Sequence, residues 1–402
     1  MAAGAAATPQ MSASQQNQMA TQALLRSAVN RIQVVQGTQT IFPASQPVIN
    51  FNPINVGLIK RFIVKVTGTI TNSGTVTLNM TDYGLANLFS NVQYTDLNNY
   101  LRINTTSQHL TLVANAKRRG PYGGTYDANQ QFTTGGLFNR SQMLNVPPAF
   151  WSCFSAPSTI AEGGSGTFSA FFEIPISYND KDFRGAVYAN VLQAVQQLSL
   201  TPNANPVTVT TTDDTMSIYT GAAGAAGSIS AMTVTVYQNY LDQLPVFQGN
   251  VLLPAASLSQ AYLLLNAPFM GIPQGQDYPI SYANQRQFLS TYAIYNSTGA
   301  AAGRTTGADV NYWALQAANA VFIWKVDPIT ATLQSREILH GDLPAGTYYF
   351  DTRQKAISTS QFGNVQLVIN SIVGGANAKV QVLWEMLAPL NTLVSGASLV
   401  SN

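Results

Sequence analysis

The chain has 402 residues, of which 46% are hydrophobic and only 9% are charged. Because an average soluble domain carries about 25% charged residues, Asn, Gln, Ser and Thr must fill most of the polar surface. The apolar content excludes an intrinsically disordered chain, and the net charge of +2 is too small to hold the whole molecule on DNA or on an anionic membrane.

The first 37 residues differ in composition from the rest, and we interpret them as an N-terminal arm. Apolar residues recur at helical spacing over 20–36, which predicts a helix. Arg26 points away from this stripe, Arg31 falls on its edge, and the first acid of the chain is Asp82. The arm either packs on its own domain or contacts a neighbouring subunit or an anionic surface.

From residue 38 onward the dominant period is two, which is typical of strands with one buried and one polar face. The alternation is clear at 62–70, 168–174 and 232–236, and Asn72-Ser73-Gly74 turns the chain after the first of these. We predict that 365–369 pairs with 380–386 across Gly374-Gly375. Many short antiparallel strands indicate an all-β sandwich or barrel.

Short helices are predicted as insertions between strands. Ser177 to Asp180 fits a capping box and predicts a helix that ends near Asn190, and Asp351 with Gln354 predicts another that ends before Gly363. Each predicted helix is followed by Asn-Val and then by a strand, and the two Asn-Val pairs lie about one domain length apart in the sequence. This repeat indicates two β domains of the same plan, at residues 38–236 and 249–402.

Residues 237–248 are interpreted as the connection between the two domains. They follow a strand, and their spacing predicts two helical turns that are stopped by Pro245. Long loops at 98–148 and 265–310 interrupt the domains, and loops of this length are usually functional or lie at an interface. The residues assigned to the connection are Tyr237, Tyr240, Asp242, Leu244 and Pro245.

The inventory of reactive groups predicts no enzyme, no metal site and no cofactor. The single cysteine, Cys153, excludes an intrachain disulfide, and His109 with His340 cannot supply a three-histidine metal site. The Gly-rich run 221–227 lacks the Lys-Ser/Thr pair of a phosphate loop. No apolar stretch approaches the roughly 18 residues needed to span a bilayer, and no secretory signal is visible, so we expect synthesis in a reducing cytoplasm.

Three charged clusters have functional interpretations that we consider weaker than structural ones. Asp180 with Asp182 opens a predicted helix, and Asp213 with Asp214 lies in a Thr-rich loop, so neither pair has a cue for glycosidase chemistry. The basic run 117–119 with nearby tyrosines could stack single-stranded nucleic acid. We interpret it as a solvated loop tip.

Several stretches resemble tectivirus (PRD1-like) major capsid proteins, a double jelly-roll family. Residues 53–72 resemble the start of the first jelly roll, and 235–246 are similar almost letter for letter to the connection between the rolls. Residues 185–191 and 348–365 resemble helix-containing segments of the two halves, and Tyr282-Ala283-Asn284 and Leu289-Ser290-Thr291 follow in the same order. The resemblance is colinear from about residue 20 to 390.

The resemblance implies a major capsid protein with two tandem eight-stranded jelly rolls, an N-terminal helix and short inserted helices. It implies pseudo-hexagonal homotrimers that tile an icosahedral shell over an internal lipid membrane around double-stranded DNA. The expected partners are further copies of the chain, vertex and minor capsid proteins, and the membrane, which we expect Arg26 and Arg31 to contact. We expect no sequence-specific nucleic-acid binding. The alternative is a virion spike or a receptor- or glycan-binding β-sandwich protein.

Overall fold

The computed structural model describes residues 12–43, 48–119, 154–179, 181–191, 194–247, 249–283, 285–297, 309–317, 321–339, 343–353, 357–372 and 378–392. The helices are α1 (Ala13–Ser27), α2 (Ser107–Arg119), α3 (Ala255–Leu258), α4 (Pro328–Leu339) and α5 (Thr359–Phe362). Short 3-10 turns cover Gly84–Asn87 and Leu390–Thr392.

Most of the described chain forms strands. The first fourteen are β1 (Val29–Ile41), β2 (Ile49–Phe51), β3 (Leu58–Asn72), β4 (Leu78–Met80), β5 (Phe89–Thr95), β6 (Leu101–Thr105), β7 (Phe154–Ser155), β8 (Thr159–Ile160), β9 (Ser165–Pro175), β10 (Val187–Tyr188), β11 (Gln197–Pro202), β12 (Val207–Val209), β13 (Tyr219–Gly221) and β14 (Gly227–Asp242). The remaining ones are β15 (Val246–Phe247), β16 (Asn250–Val251), β17 (Gln260–Asn266), β18 (Met270–Gly271), β19 (Asp277–Ser281), β20 (Gln287–Asn296), β21 (Val310–Ala317), β22 (Val321–Val326), β23 (Thr347–Asp351), β24 (Ile357–Ser358), β25 (Gln366–Ser371) and β26 (Lys379–Pro389).

Eight strands in each half form a sandwich with the same winding. In the first half, a sheet of order β1-β14-β3-β9 packs on one of order β2-β11-β5-β6; in the second half the orders are β17-β26-β20-β23 and β19-β25-β21-β22. When the eight strands of each half are numbered along the chain, both halves read 1-8-3-6 and 2-7-4-5. This is the order of a jelly roll. We name the two units the first roll and the second roll, and the predicted double jelly roll is confirmed.

The two rolls share a sheet. Strand β6 of the first roll pairs in parallel with β17 of the second, with Ile103 opposite Leu264 and Asn104 opposite Leu265. One ten-stranded sheet therefore continues from the first roll into the second. Helix α2 belongs to the connection between β6 and β9, and it packs on β9, β5 and α4.

Burial follows the predicted alternation. Along β3, Phe62, Val64, Val66 and Ile70 are buried in the core of the first roll, as the period of two requires. That core extends to side chains on the outer face of the second roll's β17 and β20, including Tyr262 and Tyr292. The other face of the same strands lines the second core, around Trp313.

The helix predicted for the connection is wrong, and the helix predicted for the arm is confirmed only in its first part. Residues 237–242 are the end of β14, where they pair with β1 on one side and β3 on the other. The predicted arm helix ends at Ser27, and β1 begins at Val29. Both segments have apolar residues that also fit a strand, and the hydrogen bonds offered by neighbouring strands outweigh their local helical spacing.

Four further predictions need correction. No helix forms in the described residues of 177–191, which contain β10 instead. The second predicted helix is confirmed only as the four-residue α5, which ends before Gly363. Strands β25 and β26 do not pair, because they belong to opposite sheets of the second roll and face each other across its core. The predicted loops contain β6 and α2 in the first case and β18, β19 and β20 in the second.

Candidate assembly surfaces

Helix α1 is docked at the end of the molecule where the chain passes from one roll to the other. It starts with a capping box, in which Ser12 and Gln15 exchange backbone and side-chain hydrogen bonds. The Asn17 side chain bonds both the hydroxyl and the backbone N–H of Ser257, each at 3.3 Å. The buried residues of α1, Ala20 and Leu24, lie one turn apart. The helix is therefore packed on its own chain along one face.

The two arginines predicted to contact a membrane lie on different elements. Arg26 is exposed in the last turn of α1. Arg31 lies on β1, where its Nε is 2.6 Å from Oδ2 of Asp242, and both side chains remain partly exposed. Asp242 is one of the residues predicted for the connection, so the structure brings two predicted sites together as an ion pair.

The other predicted connection residues have structural contacts. Tyr237 is half-buried on the outer face of β14, and the Tyr240 hydroxyl donates to Oε1 of Gln33 at 3.2 Å. Leu244 packs in the same small apolar cluster as Leu24. The carbonyl of Pro245 accepts from the N–H of Leu252 at 2.7 Å, which closes the β15–β16 hairpin.

A buried charge cluster joins the two rolls around Glu385. Arg353 Nη2 and the Ser290 hydroxyl donate to Glu385 Oε2 at 2.8 Å and 2.6 Å, and the Tyr262 hydroxyl donates to Oε1 at 2.7 Å. The ammonium of Lys117, at the end of α2, lies 3.7 Å from Oε1. Glu385 is fully buried and belongs to the second roll, whereas Lys117 comes from the first.

Burial alone would raise the pKa of Glu385, but attraction to Arg353 and Lys117 and the hydrogen bonds outweigh it and lower this pKa to about 2. The carboxylate is therefore ionised at neutral pH. Lys117 also donates to the carbonyl of Tyr178 at 2.7 Å, and only a quarter of its side chain is exposed. The interpretation of residues 117–119 as a solvated loop tip is wrong for Lys117.

His109 is the second titratable group of this interface. It is fully buried on α2, and its ring meets Tyr292 of the second roll edge-on at 6.0 Å. Its Nδ1 is 2.7 Å from the Thr105 hydroxyl. Burial lowers the pKa of His109 to about 3, so the ring is neutral at physiological pH.

Two of the four carboxylates considered for catalysis, Asp182 and Asp213, are engaged in ion pairs. Asp182 binds Arg184 at 2.6 Å, and Asp180 lies outside the described residues, as do Cys153 and His340. Asp213 lies 2.5 Å from Lys379 of the second roll. Burial would raise the pKa of Asp213, but the bonds from Lys379 and Thr215 lower it. Asp213 therefore ties the rolls together.

Metal-ligating groups and membrane-spanning helices are both absent from the part of the chain that the structure describes. None of its His, Cys, Asp and Glu side chains form a group of three that could hold an ion. None of its helices has the length and apolarity needed to cross a bilayer.

Two exposed apolar surfaces were not predicted from the sequence. The β1 surface contains Ile32 and Val34, on the outer face of the first roll's edge strand. The α4 surface contains Phe322 and Ile323 of β22 and Ile329 and Leu333 of α4. The sequence signal for the α4 surface was the spacing of Ile329 and Leu333, which lie one helical turn apart.

Comparison with known proteins places the chain in a family. Residues 2–244 match the family described as P3 major capsid protein N-terminal, and residues 259–401 match P3 major capsid protein C-terminal. The major capsid protein P3 of Enterobacteria phage PRD1 is 35% identical over 386 residues, which are 95% of this chain and 93% of that protein.

Solved structures support the fold independently of sequence. A chain in the atomic structure of Sulfolobus turreted icosahedral virus has a TM-score of 0.61 and 12% identity, and the match covers 90% of this chain and 91% of that one. The crystal structure of PBCV-1 Vp54 has a TM-score of 0.55 and 11% identity, covering 93% and 98%. The chain belongs to the P3 major capsid protein family and is a major capsid protein of an icosahedral phage.

Proposed function

We propose that the chain assembles as homotrimers with a pseudo-hexagonal outline, and that these trimers tile the icosahedral shell of a virion. The observation that carries the proposal is the identical strand order of the two rolls, side by side in one shared sheet. Three such chains supply six similar units, which matches a six-sided capsomer. We propose synthesis in the host bacterial cytoplasm and no catalytic role.

The surface composition supports this assignment. With only 9% charged residues, large contacts between copies desolvate few charges. Desolvated charges weaken an interface unless they are paired, so amide hydrogen bonds and apolar burial suit repeated contacts better. Vertex and minor capsid proteins are proposed as further partners, and no sequence-specific nucleic-acid contact is proposed.

Negative-stain electron microscopy of the purified protein tests the capsomer. Compact trimers with a six-sided outline are the expected result. Monomers, or elongated trimers with a stalk, would contradict the proposal and favour a spike or a receptor- or glycan-binding protein.

We also propose that the exposed face of α1 lies on the inner side of the shell, against an internal lipid membrane that surrounds double-stranded DNA. The first 81 residues contain no acid, and Arg26 is exposed on that face. A basic residue near an anionic bilayer contributes about 1 kcal/mol, so adhesion would depend on many copies acting together.

Flotation of the purified trimer with phosphatidylglycerol vesicles tests this contact. Arg26→Glu is expected to reduce the bound fraction, whereas Lys181→Glu, at an exposed site of the first roll, should leave it unchanged. Equal binding by Arg26→Glu and the wild type would remove Arg26 from the proposed contact.

The division of the chain is proposed to lie at residues 243–259. The first family match ends at residue 244, and the second begins at residue 259. Between them lie the β15–β16 hairpin and α3.

A further inference from the structure

The contact between the two rolls of one chain has two parts. The first is the parallel pairing of β6 with β17. The second is α2, which follows β6 directly and lies against the outer face of the second roll's sheet, where the Tyr292 hydroxyl donates to the carbonyl of Leu112 at 3.0 Å. The first roll thus presents a strand and a helix, and the second roll presents a strand edge and a sheet face.

The second roll carries the same strand and helix. In the common strand order, β22 and α4 occupy the places of β6 and α2. When the two helices are aligned at their first residues, Leu333 falls at the place of Leu112 and Ile329 at the place of Gln108. Leu112 and Gln108 are fully buried, whereas Leu333 is 55% exposed and Ile329 is 66% exposed. These helix positions are buried in α2, where the Leu112 carbonyl accepts from Tyr292 of the second roll, and the equivalent positions are left open in α4.

The first roll carries the matching strand edge and sheet face. Strand β1 occupies the place of β17, and it is the edge of its sheet, hydrogen-bonded to β14 alone among the described strands. Its outer face bears Ile32, which is 58% exposed, and Val34. Val34 lies in one row with Tyr237 and Ile63, which are half-buried on the same outer face. An exposed edge of this length invites pairing with another strand.

We propose that the α4 surface of one chain packs on the β1 surface of a second copy, repeating between chains the contact that joins the rolls within a chain. In this arrangement β22 runs beside the neighbour's β1, and Ile329 and Leu333 cover the neighbour's Ile32 and Val34. The contact is head-to-tail, so it generates a ring when its rotation closes. Three chains then contain three contacts within chains and three between them. The inference rests on the proposed homotrimer and identifies its interface.

The contact between chains differs from the one within a chain in its chemistry. The place of Lys117 in α2 is taken by Ile338 in α4, by the same alignment of the helix starts. Ile338 packs against the first-roll core of its own chain. The α4 surface therefore presents the apolar side chains of Ile329 and Leu333 to its partner and no counterpart of Lys117. This favours a partner surface of the kind that Ile32 and Val34 provide.

Mass photometry of the full-length protein tests the interface with one variant on each surface. The wild type is expected to be trimeric, and Leu333→Asp and Ile32→Asp are each expected to raise the concentration for half-dissociation at least tenfold. Val195→Asp replaces an exposed valine outside both surfaces and should remain trimeric. Circular dichroism identifies any variant that fails to fold.

Hydrogen exchange on the wild-type trimer provides a second readout that needs no variant. Peptides covering 29–41 and 321–326 are expected to exchange as slowly as those of the interior strand β3, because both edges are paired. If the wild type is trimeric but the folded variants are trimeric too, the proposed interface is wrong and the homotrimer stands. The same conclusion follows if the wild type is trimeric but the peptides of the two edge strands exchange fast. A monomeric wild type would overturn both.

Discussion

Helices α2 and α4 occupy the same place in two rolls of the same topology, yet their surroundings differ. Helix α2 is covered by the second roll of its own chain and buries the polar residues Gln108 and His109. Helix α4 contacts the first roll through α2 and at Ile338 and Leu339, but Ile329 and Leu333 stay exposed.

The difference shows how one scaffold carries two kinds of contact. Gln108 and His109 each have one hydrogen-bond partner in the same chain: the carbonyl of Thr215 accepts from Gln108 at 3.2 Å, and the Thr105 hydroxyl lies 2.7 Å from Nδ1 of His109. Apolar side chains on α4 need no such directional partners, so they suit a surface that another chain covers later.

The largest effect on stability is expected from neutralising Glu385, the carboxylate at the centre of the buried contact between the two rolls. Glu385→Gln should lower the free energy of unfolding by about 3–5 kcal/mol, because Arg353 and Lys117 are left as buried or partly buried charges without their partner. Urea denaturation at fixed protein concentration measures the change. A loss below about 1 kcal/mol would show that the cluster does not hold the rolls together.

The next effect compares the two equivalent leucines. Leu112→Ala should cost about 2–5 kcal/mol, as expected for truncation in a packed core, whereas Leu333→Ala should cost less than about 0.5 kcal/mol in a dissociated chain. Both variants are best measured in the Ile32→Asp background, so that assembly does not contribute. Equal losses would mean that α4 is covered within its own chain.

The third prediction concerns acid. The folded-state pKa of His109 is lowered from 6.5 to about 3, so its contribution to stability is complete above pH 6.5 and is lost as the pH falls towards 3. Between pH 6 and 5 this gives a slope of up to about 1.4 kcal/mol per pH unit. Glu385 contributes little in this window, because its contribution is lost only between about pH 4.5 and 2.

His109→Phe removes the titrating group and keeps an aromatic ring against Tyr292. The variant should show a flatter dependence of the unfolding free energy on pH between 6 and 5, measured by urea titrations at each pH. A slope equal to that of the wild type would exclude His109 as its source.

The smallest effect is expected from the exposed ion pair. Asp242→Asn should cost less than about 1 kcal/mol, because Arg31 and Asp242 are both partly solvated. Added salt should reduce this cost further. A loss comparable to that of Glu385→Gln would contradict the distinction between a buried and a solvated pair, and thermal denaturation at low and high salt is sufficient to detect it.

The sequence was most informative where burial has a period. Phe62, Val64 and Val66 were predicted to share one buried face, and they do. Periodicity identifies faces but not partners, since any strand with a matching face satisfies it, so the pairing of β25 with β26 was predicted wrongly. Both strands alternate correctly and meet across the core.

The assembly surfaces were harder to predict because they depend on distant residues. Lys117 is close to Glu385 only after the two rolls have docked, so a basic run alone could not distinguish a solvated tip from a buried partner. Tyr237 and Tyr240 fit a helical spacing, and only the flanking strands β1 and β3 make them part of a sheet. The resemblance to known capsid proteins supplied the tandem arrangement that local patterns could not.

The ten-stranded sheet that runs through both rolls has a mechanical consequence. Bending one roll against the other would break the backbone bonds between β6 and β17 and separate the charged groups beside them. Each chain should therefore resist bending between its two rolls, as a stiff unit without an internal hinge. The curvature of a closed shell must then be produced at the contacts between chains, without bending this sheet.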